Sequence, residues 1–261
     1  MAEEELPPSK LGTKSHWDEV YEREVRVFND VGDEGEVWFG ETAVKKMRRW
    51  ASKHLPRRSP DDPAIRILEC GSGNGTLLLS FLTSSGSPPP EKQKFHLTGI
   101  DYCDSATILA SSIETSRRET LSEEIDEDEE ILNDVECEWR TADLLRKDFK
   151  GETWDLVMDK GTYDALCLSQ EKITSTEDEE SLKGDGDGML PSQLYPERIA
   201  KLVKKGGLFL ITSCNFTEEE IRARYTKEEL GFEFHSSVPH PSFAFGGKSG
   251  TTVCTVAFKK I

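Results

Sequence analysis

The sequence lacks a long apolar run and a secretory leader. No stretch approaches the roughly 18 consecutive apolar residues of a membrane-spanning helix. The first residues, Met1-Ala2-Glu3-Glu4-Glu5, are acidic where a signal peptide would be basic and then apolar. We therefore predict a protein that neither spans a membrane nor enters the secretory pathway.

The sequence contains cysteines but none of the closely spaced cysteine pairs that mark metal sites or redox motifs. The six cysteines are scattered singly, with no C-x-x-C pair and no Cys/His spacing typical of zinc. Several lie beside apolar, strand-like segments, which indicates buried thiols in a reducing compartment. The pattern predicts no metal site and a cytoplasmic location, with the nucleus as the alternative.

Cations are scarce relative to acids. Lys and Arg total 33 against 50 Asp and Glu, so the net charge is −17. A nucleic-acid binder needs clustered basic residues, and an anionic membrane surface repels such a chain. The charge instead favours a basic protein partner. The acidic runs at 123–130 and 177–187 read as solvated loops, the alternative being attraction of that partner; we expect a monomer.

The order of apolar segments predicts the fold class. From residue 65 to 212 short strands alternate with helices, and a β-rich end follows, which is typical of a parallel sheet with helices on both faces. We predict an α/β, Rossmann-like, doubly wound, mostly parallel seven-strand sheet with an antiparallel C-terminal strand. Residues 1–12 are expected to be a disordered tail and 13–261 one domain, with N-terminal helices in 13–55 and mobile acidic inserts at 119–134 and 175–188. The predicted strands are Ile65–Cys70, Phe95–Ile100, Val135–Arg140, Trp154–Asp159, Leu208–Thr212, Phe232–Ser236 and Thr252–Phe258, and Pro191–Val203 is a predicted helix.

A glycine-rich loop follows the first predicted strand. It reads Glu69-Cys70-Gly71-Ser72-Gly73-Asn74-Gly75 and precedes a helix. A dinucleotide fingerprint needs glycine at position 76, which is Thr, and no Gly-Lys-Ser/Thr of a P-loop follows. The arrangement resembles the class I S-adenosylmethionine-dependent methyltransferases. That resemblance implies a loop that faces the amino-acid part of the cofactor, with Glu69, Gly71, Ser72, Gly73, Asn74 and Gly75 as cofactor-binding residues.

Acidic residues follow three further predicted strands, where ligands of an open α/β sheet bind. Asp101 is a candidate to accept hydrogen bonds from the ribose diol, and Tyr102 beside it to cover the adenine. Asp143 and the amide of Leu144 are candidates for the adenine ring. Asp159 borders the transferred methyl in this fold and is a candidate for both cofactor and acceptor. The alternatives are structural: Asp101 could be a turn or N-cap residue, Asp143 could cap a helix, and Asp159 could cap the end of its strand.

A set of ordered motifs narrows the resemblance. The chain looks like the eukaryotic lysine methyltransferases of translation elongation factor 1-alpha, the branch called methyltransferase-like 10 in animals and elongation factor methyltransferase 4 in fungi. The match runs from about Leu11 to the C-terminus and departs from the family by insertions at 84–94, 119–134 and 175–188. It implies methyl transfer from S-adenosylmethionine to a lysine ε-amine of elongation factor 1-alpha. The motifs are 14–24 (KSHWDEVYERE), 35–40 (GEVWFG), 99–102 (GIDY), 159–165 (DKGTYDA), 212–216 (TSCNF) and 243–250 (FAFGGKSG).

Aromatic residues complete the predicted site. Trp17 and Tyr21 are expected over the cofactor and Trp38 at the wall of a lysine channel, although aromatics on a helix face commonly belong to a core. Asp159 or Tyr163 is the candidate that orients the amine, so Asp159, Tyr163 and Trp38 form the catalytic set.

Three other functions compete with this one. A dinucleotide oxidoreductase is disfavoured by Thr76, and an inactive binding module by the intact loop. A small-molecule methyltransferase, or one acting on another protein, is the nearest alternative; the absence of an Asn-Pro-Pro-Tyr or Asp-Pro-Pro-Tyr motif after the fourth strand disfavours amide and nucleobase acceptors.

Overall fold

The computed structural model describes residues 6–59, 61–85, 91–124, 130–174, 188–241, 243–245, 248–250 and 252–261. The chain divides into two compact units. The N-terminal unit is Trp17–Ala142, and the C-terminal unit joins Met1–His16 to Asp143–Ile261.

The N-terminal unit contains a three-stranded parallel array flanked by helices. Strand β3 pairs with β1 on one side, through Leu97 and Ile67, and with β5 on the other, through Leu97 and Cys137. Buried Leu79 and Leu82 pack with Leu109 and Ile113 of α4, and half-buried side chains of α1 pack against this cluster. The elements are α1 Lys14–Val31, α2 Gly40–His54, β1 Ile65–Cys70, α3 Thr76–Leu79, β2 Thr83–Ser85, β3 Lys94–Asp101, α4 Asp104–Glu124, β4 Glu130–Leu132 and β5 Asp134–Thr141.

The C-terminal unit contains one parallel and two antiparallel strand pairs. Strands β6 and β7 are parallel, β7 and β11 antiparallel, and β11 and β8 antiparallel. Each of β6 and β7 is buried over most of its length, because its apolar run faces helices or other strands rather than water. The elements are β6 Trp154–Lys160, α5 Thr162–Leu166, α6 Pro191–Leu202, β7 Val203–Ser213, α7 Glu218–Tyr225, β8 Phe232–Val238, β9 Phe243–Phe245, β10 Lys248–Gly250 and β11 Cys254–Lys260.

The strands form a seven-stranded sheet in the order β5-β3-β1-β6-β7-β11-β8. It is mostly parallel, and β11 is the antiparallel C-terminal strand. The predicted fold class is confirmed. Two short antiparallel ribbons, β2 with β4 and β9 with β10, accompany it and were not predicted.

Strand β7 begins five residues earlier than predicted. Residues 204–207 were expected at the end of a helix over Pro191–Val203, but α6 ends at Leu202 and β7 starts at Val203. Val203 pairs with Trp154, and the register then shifts before Leu156 pairs with Leu208. Gly206 takes a positive φ of 79° within this irregular entry, which explains why a Lys-Lys-Gly-Gly run can belong to a strand.

Part of the segment predicted to be a disordered tail, residues 9–12, is ordered by hydrogen bonds. Residues 10–12 form a 3-10 turn, and the amide of Ser9 donates to the carbonyl of Leu168 at 3.2 Å. A Cβ at Gly12 would lie 2.4 Å from the Leu168 carbonyl carbon, so only glycine fits this approach. The part of the predicted tail at residues 1–5 lies outside the described residues.

The insert predicted over 119–134 is built into elements at both ends. Helix α4 continues to Glu124, and β4 pairs with β2. Asn133 holds this ribbon, because its side-chain amide donates to the carbonyl of Phe81 at 2.9 Å and to the hydroxyl of Ser84 at 2.8 Å. Residues 125–129, residues 86–90 of the insertion at 84–94, and 175–187 of the other acidic insert lie outside the described residues, as do Gly246 and Gly247 of the last motif.

Candidate active site

The glycine loop after β1 depends on three residues with positive φ. Gly71, Gly73 and Gly75 have φ values of 65°, 52° and 75°, a region that side chains rarely tolerate. A Cβ at Gly73 would lie 2.6 Å from the Tyr21 hydroxyl oxygen, and one at Gly75 would lie 2.5 Å from the Trp139 ring. The loop is therefore shaped by the close approach of Tyr21 and Trp139 as well as by its turn.

Trp139 also explains a glycine in the next strand. A Cβ at Gly99 would lie 2.4 Å from the Trp139 ring, and the indole nitrogen of Trp139 donates to Glu114 at 2.8 Å. One tryptophan thus occupies the space that side chains at Gly75 and Gly99 would otherwise take.

Asp101 joins the end of β3 to the glycine loop. Its carboxylate accepts the amide of Gly73 on one oxygen and the amide of Cys103 on the other, both at 3.0 Å. Burial raises the pKa of Asp101, while these backbone hydrogen bonds act in the opposite direction. Asp101 therefore stands at the predicted strand end, and the carboxylate also holds the loop; its ribose contact stays a prediction.

Buried carboxylates surround the hydroxyl of Tyr21. Burial raises the pKa of Tyr21 well above its usual value, and the charges of Asp101, Glu24 and Glu69 raise it further. Glu69 is 0% exposed at the end of β1, and burial also raises the pKa of Glu24. Such a cluster is suited to a ligand that brings positive charge or hydroxyl donors. Among the residues described, no three His, Cys, Asp or Glu side chains have the arrangement of a metal site.

Three of the predicted aromatic site residues lie together in the N-terminal unit. Trp17 stacks on Tyr21 with ring centroids 6.1 Å apart and meets Trp38 edge-on at 5.0 Å. Trp17 is buried, whereas Trp38 is half-buried and sits beside Phe39, which adopts a left-handed conformation before α2. Trp17 therefore belongs to a packed cluster, as its structural alternative has it, and the predicted places of Trp17 and Tyr21 over the cofactor and of Trp38 at the lysine channel stay predictions.

Three other predicted cofactor residues are placed at strand ends. Tyr102 follows Asp101 and is half-buried, and Leu144 is buried. The carboxylate of Asp143 accepts the amide of Leu145 at 2.8 Å and pairs with Arg146 at 2.7 Å. Asp143 therefore caps a turn after β5 rather than the helix of its structural alternative, and its adenine contact stays a prediction.

Asp159 of the C-terminal unit is fully buried at the end of β6. One oxygen accepts the amide of Thr162 at 2.9 Å, and the other accepts the amide of Tyr163 at 3.0 Å and the hydroxyl of Tyr195 at 2.6 Å. Burial raises the pKa of Asp159 to about 7, the nearby Asp164 adds to the increase, and the Tyr195 hydrogen bond opposes it. The carboxyl can thus change its charge near neutral pH, an unusual property for an aspartate.

Tyr163 is a packed residue in this structure. Its ring stacks on Tyr195 with centroids 5.7 Å apart, and its hydroxyl donates to the carbonyl of Ser192 and accepts from Arg224, each at 3.3 Å. The geometry gives the hydroxyl a structural task within the C-terminal unit. Its predicted part in orienting the amine stays a prediction.

Sequence reasoning missed the residues that surround Asp159. Asp164 accepts the hydroxyl of Ser213 at 2.5 Å and the amide of Cys214 at 2.7 Å, which joins the motif after β6 to the motif after β7. The position of these two motifs was a usable signal for this contact, because each lies at the end of one of two neighbouring parallel strands, β6 and β7. Tyr195 had no such signal, since it lies in the middle of α6 among apolar residues.

None of the helices described is long and apolar enough to cross a membrane. All six cysteines lie within the described ranges, and none forms a disulfide.

Comparison with known proteins gives close relatives in fungi and animals. No family model matches the chain. The chain is 36% identical to the protein-lysine N-methyltransferase efm4 of Schizosaccharomyces pombe, covering 97% of this chain and 95% of that protein. It is 34% identical to the human EEF1A lysine methyltransferase 2, covering 99% and 90%. It is 32% identical to EFM4 of Saccharomyces cerevisiae, covering 98% and 97%.

Solved structures of lower identity share the fold. A TehB-like S-adenosylmethionine-dependent methyltransferase from Corynebacterium glutamicum superposes with a TM-score of 0.52 at 14% identity, covering 95% of this chain and all of that one. The N-methyltransferase NodS from Bradyrhizobium japonicum, in complex with S-adenosyl-L-homocysteine, gives 0.52 at 14% identity, covering 94% and 98%. With the full-length similarity to the fungal and animal enzymes, the chain belongs to the protein-lysine N-methyltransferase family that contains EFM4 and EEF1A lysine methyltransferase 2.

Proposed function

We propose that this protein transfers a methyl group from S-adenosylmethionine to a lysine ε-amine of translation elongation factor 1-alpha. The observation that carries the proposal is similarity over nearly the whole chain to relatives named for that activity. The geometry of each unit supports one part of the reaction.

The N-terminal unit fits the cofactor. S-adenosylmethionine carries an ammonium, a sulfonium and a ribose diol, which are the groups that Glu24, Glu69 and Asp101 would attract from their buried positions. Positive-φ glycines at 71, 73 and 75 give the loop the tight turn that such a site needs. We assign cofactor binding to this loop, to Asp101 and to Tyr21, with Trp17, Tyr102, Asp143 and Leu144 as further proposed contacts.

The chemistry requires a neutral amine in line with the methyl. The bound cofactor supplies a methyl group on a positively charged sulfur, so the protein's main task is alignment. A lysine amine has an ordinary pKa of ~10.4 and is largely protonated at neutral pH. A dry aromatic surround lowers that pKa by disfavouring the ammonium. Trp38 is our candidate for the aromatic residue that packs against the acceptor lysine and excludes water from it.

Asp159 is proposed to orient the amine rather than to remove its proton. An aspartate anion beside a lysine would raise the lysine pKa and work against attack. Because the pKa of Asp159 is itself raised to about 7, the carboxyl is only partly ionised at neutral pH and opposes deprotonation less than an ordinary aspartate would. Its hydrogen bonds to the amides of Thr162 and Tyr163 fix its position.

The direct test is methylation of purified elongation factor 1-alpha with labelled S-adenosylmethionine. We expect label on a lysine, identified by mass spectrometry of acceptor peptides, and loss of label with the loop variant Gly73→Arg. A methyl group found instead on a small metabolite, a nucleic acid or a glutamine, with lysines unmodified, would contradict the assignment.

The proposal extends to partner and compartment. A net charge of −17 suits encounter with a basic protein, and the association rate should fall as salt rises. Six cysteines without a disulfide suit the reducing cytoplasm. We propose a cytoplasmic monomer.

A further inference from the structure

The segment between α1 and α2 carries Trp38 yet has no regular structure of its own. Residues 32–37 are irregular, a turn follows, and Gly32 and Gly35 have φ values of 75° and 84°. A segment of this kind holds one position only if side chains anchor it. We call residues 32–39 the strap. Contacts within the N-terminal unit hold it at three points.

The first anchor is an ion pair to α4. The guanidinium of Arg117 donates from Nε to one carboxylate oxygen of Glu34 at 2.8 Å, and from a terminal nitrogen to the other oxygen. The side chains of Arg117 and Glu34 are 27% and 34% exposed, so the pair is screened less than a fully exposed one. Two parallel bonds of this kind fix orientation as well as distance.

The second anchor is the glycine loop itself. The side-chain amide of Asn74 donates to the backbone carbonyl of Glu34 at 3.0 Å, and its oxygen accepts the amide of Thr76 at 3.3 Å. Asn74 is buried. Glu34 is therefore held twice: Asn74 of the proposed cofactor loop binds its backbone carbonyl, and Arg117 binds its carboxylate.

The third anchor lies on α1. The carboxylate of Glu24 accepts the amide of Glu36 at 3.3 Å, and a Cβ at Gly35 would lie 2.6 Å from that carboxylate. Glu24 is buried, and Gly35 with its positive φ permits the approach. Beyond this point the strap delivers Trp38 against the ring of Trp17.

We propose that Glu34 is a positioning residue: held by Arg117 and Asn74, it fixes the strap so that Trp38 stands correctly for the acceptor lysine. The inference rests on the proposed function, because it takes Trp38 as part of the lysine site. It adds that α4, which contributes no predicted site residue beyond its start, controls acceptor use through Arg117. Neither Glu34 nor Arg117 contacts the cofactor in this proposal.

The test uses Glu34→Gln and Arg117→Gln, together with the reversed pair Glu34→Arg/Arg117→Glu. Each single variant is expected to lower kcat/KM for elongation factor 1-alpha by about tenfold, while the Kd for S-adenosylmethionine stays within about twofold. The reversed pair should recover most of the loss, because the opposite charges meet again. Asn74→Asp keeps the oxygen that accepts the Thr76 amide but removes the amide group that donates to the Glu34 carbonyl. It should also lower kcat/KM for elongation factor 1-alpha.

Arg118→Gln is the matched control. Arg118 is the next residue of α4; it pairs with Glu114 at 2.8 Å and donates to the carbonyl of Val135 at 2.9 Å, away from the strap. Glu114 accepts the Trp139 indole on its other carboxylate oxygen, so the variant leaves that bond in place. We expect wild-type kinetics from this variant. If Arg118→Gln costs as much as Arg117→Gln, or if the reversed pair recovers nothing, the loss belongs to the helix rather than to the strap and the inference fails.

Hydrogen exchange separates this inference from the proposed function. Amides of residues 33–38 should exchange faster in Glu34→Gln and Arg117→Gln than in the wild type, whatever the acceptor is. Faster exchange with no lysine methylation by the wild type would overturn the proposed function but leave the anchoring intact. Unchanged exchange and unchanged kinetics in both variants, with an active wild type, would overturn the inference alone.

Discussion

Asp101 and Asp159 are both buried aspartates at the ends of parallel strands, one in each unit, but their partners differ. Asp101 accepts two backbone amides, and its neighbours Glu24 and Glu69 are also acids. Asp159 accepts two backbone amides and a tyrosine hydroxyl, and its nearest acid, Asp164, is itself hydrogen-bonded to Ser213. Burial raises both pKa values. The first environment brings several acids together, whereas the second holds one carboxyl in place with three donors.

The largest effect on S-adenosylmethionine binding is expected at Gly73, the glycine-loop residue whose amide is hydrogen-bonded to Asp101. Gly73→Arg should abolish S-adenosylmethionine binding, raising Kd by at least about 100-fold, because its side chain must displace Tyr21 at a positive-φ position. Calorimetric titration measures this. Gly151→Ala is the control, since Gly151 also has a positive φ of 80° but has nothing within 4 Å of an added Cβ. Unchanged affinity in Gly73→Arg would place the cofactor elsewhere.

Removal of Asp159 should separate catalysis from cofactor binding. Asp159→Ala is expected to lower kcat by about 100-fold through lost alignment, while the Kd for S-adenosylmethionine changes by less than about threefold. The variant also leaves three buried donors without their acceptor, so its melting temperature should fall. Asp155→Ala is the control, because Asp155 lies on the same strand and pairs with Lys204 instead. Equal losses of kcat and affinity would erase the contrast with Asp101.

A subtler change tests the tyrosine hydroxyl that distinguishes the two aspartates. Tyr195→Phe removes the bond that favours the charged form of Asp159, so the pKa of Asp159 should rise above its value of about 7. If the carboxylate orients the amine, the acidic limb of the kcat profile moves to higher pH. The groups facing Asp159 are Asp164, Tyr195 and the amides of Thr162 and Tyr163. Tyr163→Phe, whose hydroxyl bonds to Ser192 and Arg224, should not shift the limb.

The same pKa has a consequence for stability. A carboxyl whose pKa is raised in the folded state stabilises the fold at pH values below its unfolded pKa of ~3.9, and that contribution is lost as pH rises through about 7. The free energy of unfolding contributed by Asp159 should therefore decrease between about pH 4 and 7. Chemical denaturation of the wild type and Asp159→Asn across this range should show a weaker pH dependence in the variant; equal slopes would contradict the raised pKa.

The smallest effect is expected from an acidic insert. Ile173 and Met189 exchange two backbone hydrogen bonds, at 2.8 and 3.0 Å, which close the chain on either side of the intervening residues. Replacing 177–187 with a short Gly/Ser linker should change the melting temperature by less than about 2 °C. A loss of ten degrees or more would show that the insert is structural. Slower methylation only at low salt would favour attraction of a basic partner.

Local sequence pattern made much of the fold predictable, including the strand ends that carry the proposed site residues. The strand, glycine loop and helix around residue 73 are contiguous, and so is the strand that ends at Asp101, so sequence alone locates them. The contacts of Asp159 could not be read from the sequence, because Tyr195 is 36 residues away in α6 and belongs to none of the recognised motifs. The start of β7 was also missed, because it depends on strand pairing rather than on local sequence. Val203 pairs with Trp154, so the Lys-Lys-Gly-Gly run that follows it belongs to β7 instead of ending a helix.

Trp139 links positions that are far apart in the chain. Its ring fills the space beside both Gly75 and Gly99, and its indole is held by Glu114. These positions are therefore not free to change one at a time during evolution. A larger residue at 99 becomes acceptable only after a smaller one replaces Trp139, and that replacement would leave a void beside the glycine loop. Members of the family should accordingly vary at these positions together, or not at all.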